Sequence, residues 1–336
     1  MKDIYAAVAE QNGKVISLNE KGIIVEYEDK STKGVRLGRT YGNAEGSVYP
    51  HDVLTTLKLN EKFNAGDAIA YNPAFFEPDF FNSKQIVWKS SMTAKTVVWD
   101  AAETLEDSSS ISIKLANKLS NRTTKVRSVV IDFNQNLRKV FPAGTKINLD
   151  DVLCYIEDEV TSGSDVFNDE SIETLKALAN KSPKAKYSGT LDKIEVIYHG
   201  EKRDMSAALK KLATNSDNDL AESLKAQGKE PYTNLVDFNY RVGGNPLLLD
   251  TAEIKFYITI EHPSSVGDKG VFSHQLKTVF GETYSEMYSE HGDEIEAVFG
   301  ATPIANRIVR SADIIGTTTT LLNKIAKLAV KVYRGN

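Results

Sequence analysis

Glu253-Ile-Lys-Phe-Tyr-Ile-Thr-Ile-Glu261, followed shortly by Val266-Gly-Asp-Lys-Gly-Val-Phe-Ser-His-Gln-Leu-Lys277, decides the fold class. Apolar and polar residues alternate at period two through the first stretch, the pattern of a half-buried strand. The second stretch opens on the turn pair Gly267-Asp268 and returns to short β-branched runs. The same grammar runs backward through the chain. Lys14-Val-Ile-Ser-Leu18 and Gly22-Ile-Ile-Val-Glu-Tyr27 are separated by the turn-rich Asn19-Glu-Lys21. Lys58 to Ala70 turns at Gly66-Asp67, and Val140 to Leu153 repeats the rhythm around Ala143-Gly144. Alternation is imperfect, which predicts several strands covered on both faces. A β-rich chain with α additions follows.

Helical signals are few. Ile113 to Leu119 reads as a short helix after a serine cluster. Glu157 to Asp169 is acidic and Ser/Gly-containing, a predicted loop, and Ser171 to Lys181 a predicted helix with Ile172, Leu175 and Leu178 in step. Tyr187 to His199 is a strand pattern. Met205 to Gln227 reads as a polar helical hairpin, broken at Asn215-Ser-Asp-Asn218 and expected to project into solvent. Within it, Asp217-Asn-Asp219 reads as a turn and helix cap rather than a metal-ligand set. Thr318 to Gly335 predicts an amphipathic helix with Leu321, Ile325, Leu328 and Val332 on one stripe and most of its lysines off it. Such a helix packs its apolar face on a core or a partner, or lies on a membrane surface.

Composition narrows the class. At about 150 residues per domain, 336 residues suit about two domains, and 41% apolar with 26% charged residues is an ordinary globular mix. The formal charge of −5 argues against a protein that simply coats nucleic acid. It is unevenly spread: from Ala301 onward six basic residues face one acid, for +5, leaving −10 on the first 300. The single cysteine, Cys154, excludes a disulfide framework or a cysteine-rich zinc site and suits a reducing compartment. No apolar run reaches the ~18 residues of a membrane span, and Met1-Lys-Asp-Ile-Tyr5 lacks a signal-peptide core.

Self-contained enzyme signatures are absent: no phosphate loop, no Gly-x-Ser-x-Gly elbow, no dinucleotide fingerprint and no histidine pair at metal-ligand spacing. Two stretches carry chemistry. In the first, a Gly-Asp turn releases Lys269 and, eight residues on, Lys277, with His274 between them. Two lysines on a rigid β scaffold make a fixed positive site for phosphates; the plain alternative is a solvated surface turn. In the second, a strand runs into Glu106-Asp107 and then Ser108-Ser-Ser110. Adjacent carboxylates can help hold a hydrated divalent ion, or can be the acidic approach to a helix.

Taken in order, these stretches resemble the C-terminal half of the second-largest (β) subunit of multisubunit DNA-dependent RNA polymerases. The resemblance rests on Glu106-Asp107-Ser108, on Gly267-Asp268-Lys269 with His274 and Lys277, and on Glu294-Ile-Glu-Ala-Val-Phe-Gly-Ala-Thr-Pro-Ile-Ala-Asn-Arg307. The last is similar to the family's apolar strand, Gly-Val-Pro turn and arginine. Phe63 to Ala70 resembles the approach to the Glu-Asp block, and Ser182 to Leu249 falls where the family carries its flap. The departures are Ser273-His274-Gln275, where the family has an arginine before the histidine, and Thr278, where it has glycine.

The resemblance implies a mainly β (α+β) fold in four parts: a barrel-sandwich-like β region at 1–95, the first part of a double-psi β-barrel at 96–155, a flap-like insertion with a helical excursion at 156–250, and the second part of the barrel with a C-terminal helix at 251–336. It implies that Lys269, His274, Lys277 and Arg310 contact nucleic acid, that Arg307 meets the nucleotide triphosphate, and that Glu106 and Asp107 orient the second Mg2+ through water. Lys269, Lys277, Arg307, Glu106 and Asp107 would form this chain's share of the catalytic centre. The metal-chelating aspartate triad would sit on a β′-like partner, since no Asp-x-Asp-x-Asp run occurs here. Partners would be further β-like and β′-like chains, DNA, RNA and nucleoside triphosphates, with no membrane. A chain that begins at Met1 and stops one helix beyond Arg307 suggests a split subunit of giant-bacteriophage type, working in the infected bacterial cytoplasm or carried in the virion. Two other readings stand beside it: a lipoyl- or biotinyl-type barrel-sandwich carrier, and a structural interaction module without catalysis.

Overall fold

The computed structural model describes residues 5–44, 46–79, 81–89, 91–157, 182–273, 275–307, 310–333 and 335. Strand accounts for 42% and helix for 20%, a mostly β chain with α additions. The loop and helix expected between Glu157 and Lys181 lie, past Glu157 itself, outside the described residues. The chain divides into two compact units, each made of two separate lengths: residues 1–90 with 122–260, and 91–121 with 261–336.

The first unit begins as an antiparallel sheet in the order Thr32–Arg36, Gly22–Tyr27, Gly13–Asn19, Lys62–Phe63. Its first hairpin forms because Asn19 Oδ1 accepts the amides of Lys21 and Gly22 at 2.9 and 3.0 Å, replacing backbone partners in the turn. Val15, Ile23, Val25 and Val35 are fully buried and pack with Phe63 and Ile69. The Gly66-Asp67 corner forms as the sequence predicts. Gly66 takes φ +92°, Asp67 Oδ2 accepts the Asn64 amide at 2.9 Å, and Ala68–Tyr71 leaves as the next strand.

A six-stranded sheet follows, ordered Lys146–Ile147, Gly189–His199, Thr251–His262, Asn121–Asp132, Ser47–Val53, Gly38–Ala44. The strand read first from the sequence occupies its centre. It pairs antiparallel with Gly189–His199 from Thr190↔Thr259 to His199↔Thr251. One face supplies Leu191, Val196, Ile254, Phe256 and Ile258 to the largest core cluster. The other carries a polar network. Tyr257 donates to Glu195 at 2.8 Å, Lys193 bonds Glu195 at 2.6 Å, and Lys255 donates to the Tyr240 hydroxyl, which donates to Glu253. At the Asp52 end of this face, Arg39 grips Asp52 with two nitrogens at 2.7 and 2.9 Å and Asp192 with a third at 2.8 Å, and Arg122 adds a bond to Asp52 at 3.0 Å.

The helical hairpin expected at Met205 to Gln227 is instead one unbroken helix, Ala207–Lys225, and it packs on the sheet rather than projecting into solvent. Leu209 and Ala213 enter the main core cluster. The sequence Asn215-Ser-Asp-Asn reads as a break because these residues favour turns, but tertiary contacts override that preference. Ser216 Oγ accepts the Val196 amide at 3.0 Å. The Asp217 carboxylate, nearly buried, accepts from Tyr198 Oη and Lys202 Nζ, both at 2.8 Å, and from the Asn234 amide at 2.7 Å. Asp217 is thus neither cap nor ligand but the pin that ties helix, strand and following loop together. The helix end also presses on the N-terminal sheet: a methyl group on Gly34 would come within 1.9 Å of the Gln227 carbonyl oxygen.

Two outcomes follow from this packing. Asp217→Ala removes the acceptor of four hydrogen bonds and should cost about 2–3 kcal/mol, read as a lowered denaturation midpoint with an unchanged far-ultraviolet spectrum below the transition. Hydrogen bonds from Arg39 hold the Asp52 carboxyl below its ordinary value of 3.8 against the opposing effect of burial. A depressed folded-state pKa stabilises above the unfolded value and ceases to as pH falls through the folded one. Thermal melts should therefore weaken on acidification below about pH 4, and Asp52→Asn should be less stable at neutral pH with a flatter acid limb.

Candidate functional site

The second unit is built on a five-stranded sheet ordered Thr96–Val98, Ala297–Phe299, Ser108–Ser112, Leu276–Tyr284, Lys269–Phe272. Its centre is a parallel ladder between Ser108–Ser112 and Leu276–Tyr284, with Ser108 opposite Val279 and Ser109 opposite Phe280. Thr278 and Ser109, both buried, join their hydroxyls across this ladder at 2.8 Å. Thr278, where the resemblance leads one to expect glycine, therefore has a structural use. Ser112 ends its strand and caps the next helix, Ile113–Lys118, by accepting the Leu115 amide at 3.1 Å. Ion pairs Lys95–Asp293, Lys114–Glu294 and Lys118–Glu296 lace the two lengths of chain together. Burial alone would raise the Glu296 carboxyl, but the bonds from Lys118 and the Lys95 amide outweigh it and hold it below its ordinary value.

Lys269 and Lys277 lie on one antiparallel hairpin, with Lys269 opposite Val279 and Val271 opposite Lys277. Directly paired residues share a face, so both lysines, Val271 and Val279 project from the same side, and all four are exposed. The lysines are diagonal neighbours, their backbones roughly 7–8 Å apart. The opposite side carries Leu276, Thr278 and Phe280, all buried. This alternation fixes the lysines outward: a one-residue slip would bury them and expose the core. The Gly-Asp turn sets the entry. Gly267 takes φ +94°, its amide bonds the Phe280 carbonyl at 2.8 Å, and Asp268 Oδ2 accepts the Ser265 amide at 2.9 Å. Among the described residues no carboxylate lies within ion-pair distance of Lys269. The hairpin tip falls between Phe272 and Leu276, so Lys269 begins its strand far from the tip where a carrier-domain lysine would sit.

Glu106 and Asp107 immediately precede the central parallel strand, and the Asp107 carbonyl accepts the Val279 amide at 2.8 Å. The Glu-Asp turn thus lies beside the Lys277–Thr278 part of the neighbouring strand. Both side chains are exposed. Glu106 holds φ +55°, a left-handed conformation that a residue with a Cβ adopts only when its surroundings impose it. They do so through Thr104, fully buried, whose hydroxyl donates to the Trp99 carbonyl at 2.9 Å and accepts the Ala101 amide at 2.8 Å.

In the block around Arg307 the expected apolar strand is present, and the chain between it and the arginine is helical rather than a turn. Strand Ala297–Phe299 runs through Gly300 directly into a helix, Ala301–Arg307. Asp100 Oδ1 accepts the Ala301 and Thr302 amides at 2.8 and 3.2 Å, satisfying the first free N–H groups of that helix. This positioning role of Asp100 escaped sequence reading because cap and helix are about 200 residues apart. Arg307 ends this helix and Arg310 begins the next, Arg310–Tyr333; neither side chain is among those described. His274 also lies outside the described residues.

The strands and turns bearing Glu106, Asp107, Lys269 and Lys277, and the helix ending at Arg307, accordingly belong to one unit. No family model matches the chain, and no curated protein matches it. The lysine face is an open sheet surface rather than a cavity. Among the described residues no group of three His, Cys, Asp or Glu side chains is placed to hold a metal ion. What the arrangement offers is two cations at fixed spacing beside an exposed acidic turn, suited to an extended anion such as a phosphate backbone.

The turn that aims Glu106-Asp107 closes over Gly300, where an added methyl would lie 2.3 Å from the Thr104 carbonyl oxygen. Gly300→Ala should displace that turn. The expected readouts are a lower melting midpoint and faster proteolytic cleavage between Ala101 and Asp107, while Gly292→Ala, which has open space but left-handed backbone, should leave cleavage there unchanged.

Proposed function

We propose that this chain is a β-like fragment of a multisubunit DNA-dependent RNA polymerase, supplying groups that contact nucleotide and RNA phosphates while a partner chain chelates the catalytic metal. The observation that carries this reading is the meeting of the Glu106-Asp107 turn with the Lys269–Lys277 hairpin in one sheet. These segments lie far apart in sequence, and the resemblance assigns both to one active centre. In this reading the two units correspond to a barrel-sandwich-like and flap-like region and to part of a double-psi barrel.

Polymerisation joins an RNA 3′-hydroxyl, which gives its proton to solvent, to the α-phosphorus of an incoming nucleoside triphosphate, whose bond to the β-phosphate breaks to release pyrophosphate, and most of what it asks of a protein is positioning and charge. Lys269 and Lys277 would bind phosphates at the RNA 3′ end as point charges on a stiff support. His274 and Arg310 would add nucleic-acid contacts. Arg307 would meet the triphosphate, where its planar fork matches phosphate oxygens. Two adjacent carboxylates fit an outer, water-mediated contact to a nucleotide-borne Mg2+ better than a resident site. When bound, that ion supplies charge neutralisation on the phosphates. Glu106 and Asp107 would hold its water ligands in place. The remaining partners would be other polymerase subunits, template DNA and nucleoside triphosphates, in an infected bacterial host or a virion.

Lys277→Ala, assembled with the partner chains, should reduce RNA extension on the order of a hundredfold or more, in line with loss of one charge-stabilising group, while subunit co-elution is unchanged. Wild-type elongation by that variant would refute the assignment. The chain by itself should incorporate no nucleotide under any metal condition, since it lacks the chelating triad.

A further inference from the structure

The helix Arg310–Tyr333 starts against its own unit and then leaves it. Ala312 is buried with Leu276 and Phe299, and Ile304 packs on the same cluster. From Thr320 to Tyr333 every described side chain is exposed except the half-buried Ala326. Leu321, Ile325, Leu328 and Val332 remain 55, 61, 62 and 73% exposed. A helical segment of these 14 residues, without tertiary packing, is near the ~12–15-residue length at which a helix is marginal in water, so its apolar stripe needs an occupant.

The sequence of the stripe says which. Spaced alternately four and three, Ile314, Thr318, Leu321, Ile325, Leu328 and Val332 form a heptad seam. One set of core positions holds the β-branched Thr318, Ile325 and Val332; the other holds Ile314, Leu321 and Leu328. β-branched residues in the first set with leucine in the second are the pattern of parallel two-stranded coiled coils. The flanks agree. Lys324 and Lys331 occupy the positions just before the first set, while Leu322 and Ala329 occupy those just after the second. In a parallel pair the Lys324 stem lies over Ala329 of the other copy and Thr317 over Leu322, so apolar surface is covered and no lysines meet. In an antiparallel pair Lys324 and Lys331 would face each other. Side chains of this size, exposed as they are, leave roughly 600 Å2 on each copy, or about 1,200 Å2 for two, at the lower edge of a specific interface.

We propose that this helix pairs in parallel with the same helix of a second copy of the chain. The pairing is independent of the polymerase reading and is tested on the purified full chain. Sedimentation velocity should show a reversible monomer–dimer equilibrium, and the double variant Leu321→Asp, Leu328→Asp should sediment as monomer with an unchanged melting midpoint. Mild oxidation should cross-link Ile325→Cys to its counterpart, because this seam position meets itself only in a parallel pair, while Asn323→Cys on the outer face should stay uncross-linked. The native Cys154 is fully buried and contributes no background. Monomer at all concentrations would overturn the proposal, as would equal cross-linking at both positions. A monomer that instead binds anionic phosphatidylserine vesicles through this helix would assign the stripe to a lipid surface and likewise overturn it.

Discussion

The parallel ladder between Ser108–Ser112 and Leu276–Tyr284 is the constraint on which the second unit depends. It joins positions as much as 172 residues apart, and the buried Ser109–Thr278 hydroxyl pair, 169 apart, lies across it. Parallel strands cannot be joined by a tight hairpin, so a long connection must leave one strand and return to the other. Here the intervening chain folds as most of the first unit. The entropy of closing such a loop grows only slowly with its length. What must be specified strongly is the register, and the burial of Leu276, Phe280 and Ile111 beneath the ladder does that. A slip by one residue would turn Lys277 inward and separate it from the acidic turn.

The units solve the problem of a two-faced sheet differently. In the first, both faces of the six-stranded sheet are occupied, one by apolar side chains and the helix Ala207–Lys225, the other by charged and phenolic groups that satisfy one another. Tyr41 against Tyr257, with ring centres 4.6 Å apart, adds apolar area within that polar layer. Breaking any single member leaves its partners short of bonds in a setting less polar than water, which is why such layers hold one arrangement rather than many. In the second, the hairpin's outer face carries Lys269, Val271, Lys277 and Val279, all exposed, and among the described residues no carboxylate pairs with Lys269.

Much of the strand content was legible in the sequence, because period-two alternation and Gly-Asp or Asn-initiated turns are local signals. Glu253 to Glu261, the hairpin around Asn19 and the corner at Gly66-Asp67 are all read that way. The β setting of the two lysines was legible from the Gly267-Asp268 turn, but not that they lie on one hairpin and share a face, since that depends on the pairing of Val271 with Lys277. The helix Ala207–Lys225 was misread as two. Asn215, Ser216 and Asp217 carry turn preferences of a few tenths of a kcal/mol each, smaller than the hydrogen bonds that Val196, Tyr198, Lys202 and Asn234 make to them. The Asp100 cap and the Thr104–Gly300 contact had no local signal at all, as each joins residues about 200 positions apart.

Whole-chain charge and the placement of a few charges are different quantities. Net charge governs solubility and encounter at a distance, whereas recognition of a phosphate depends on where a few cations are held. Screening in salt confines an exposed charge to about 10 Å, so acidic surfaces elsewhere on the chain subtract little from two lysines fixed on one hairpin face. The left-handed Glu106 sharpens the contrast. Its conformation is disfavoured in isolation, and it persists because Thr104 and Gly300 fix the turn on which it stands. On the proposed reading, a phosphate and its counter-ion are what the cationic strand and the strained acidic turn beside it would meet.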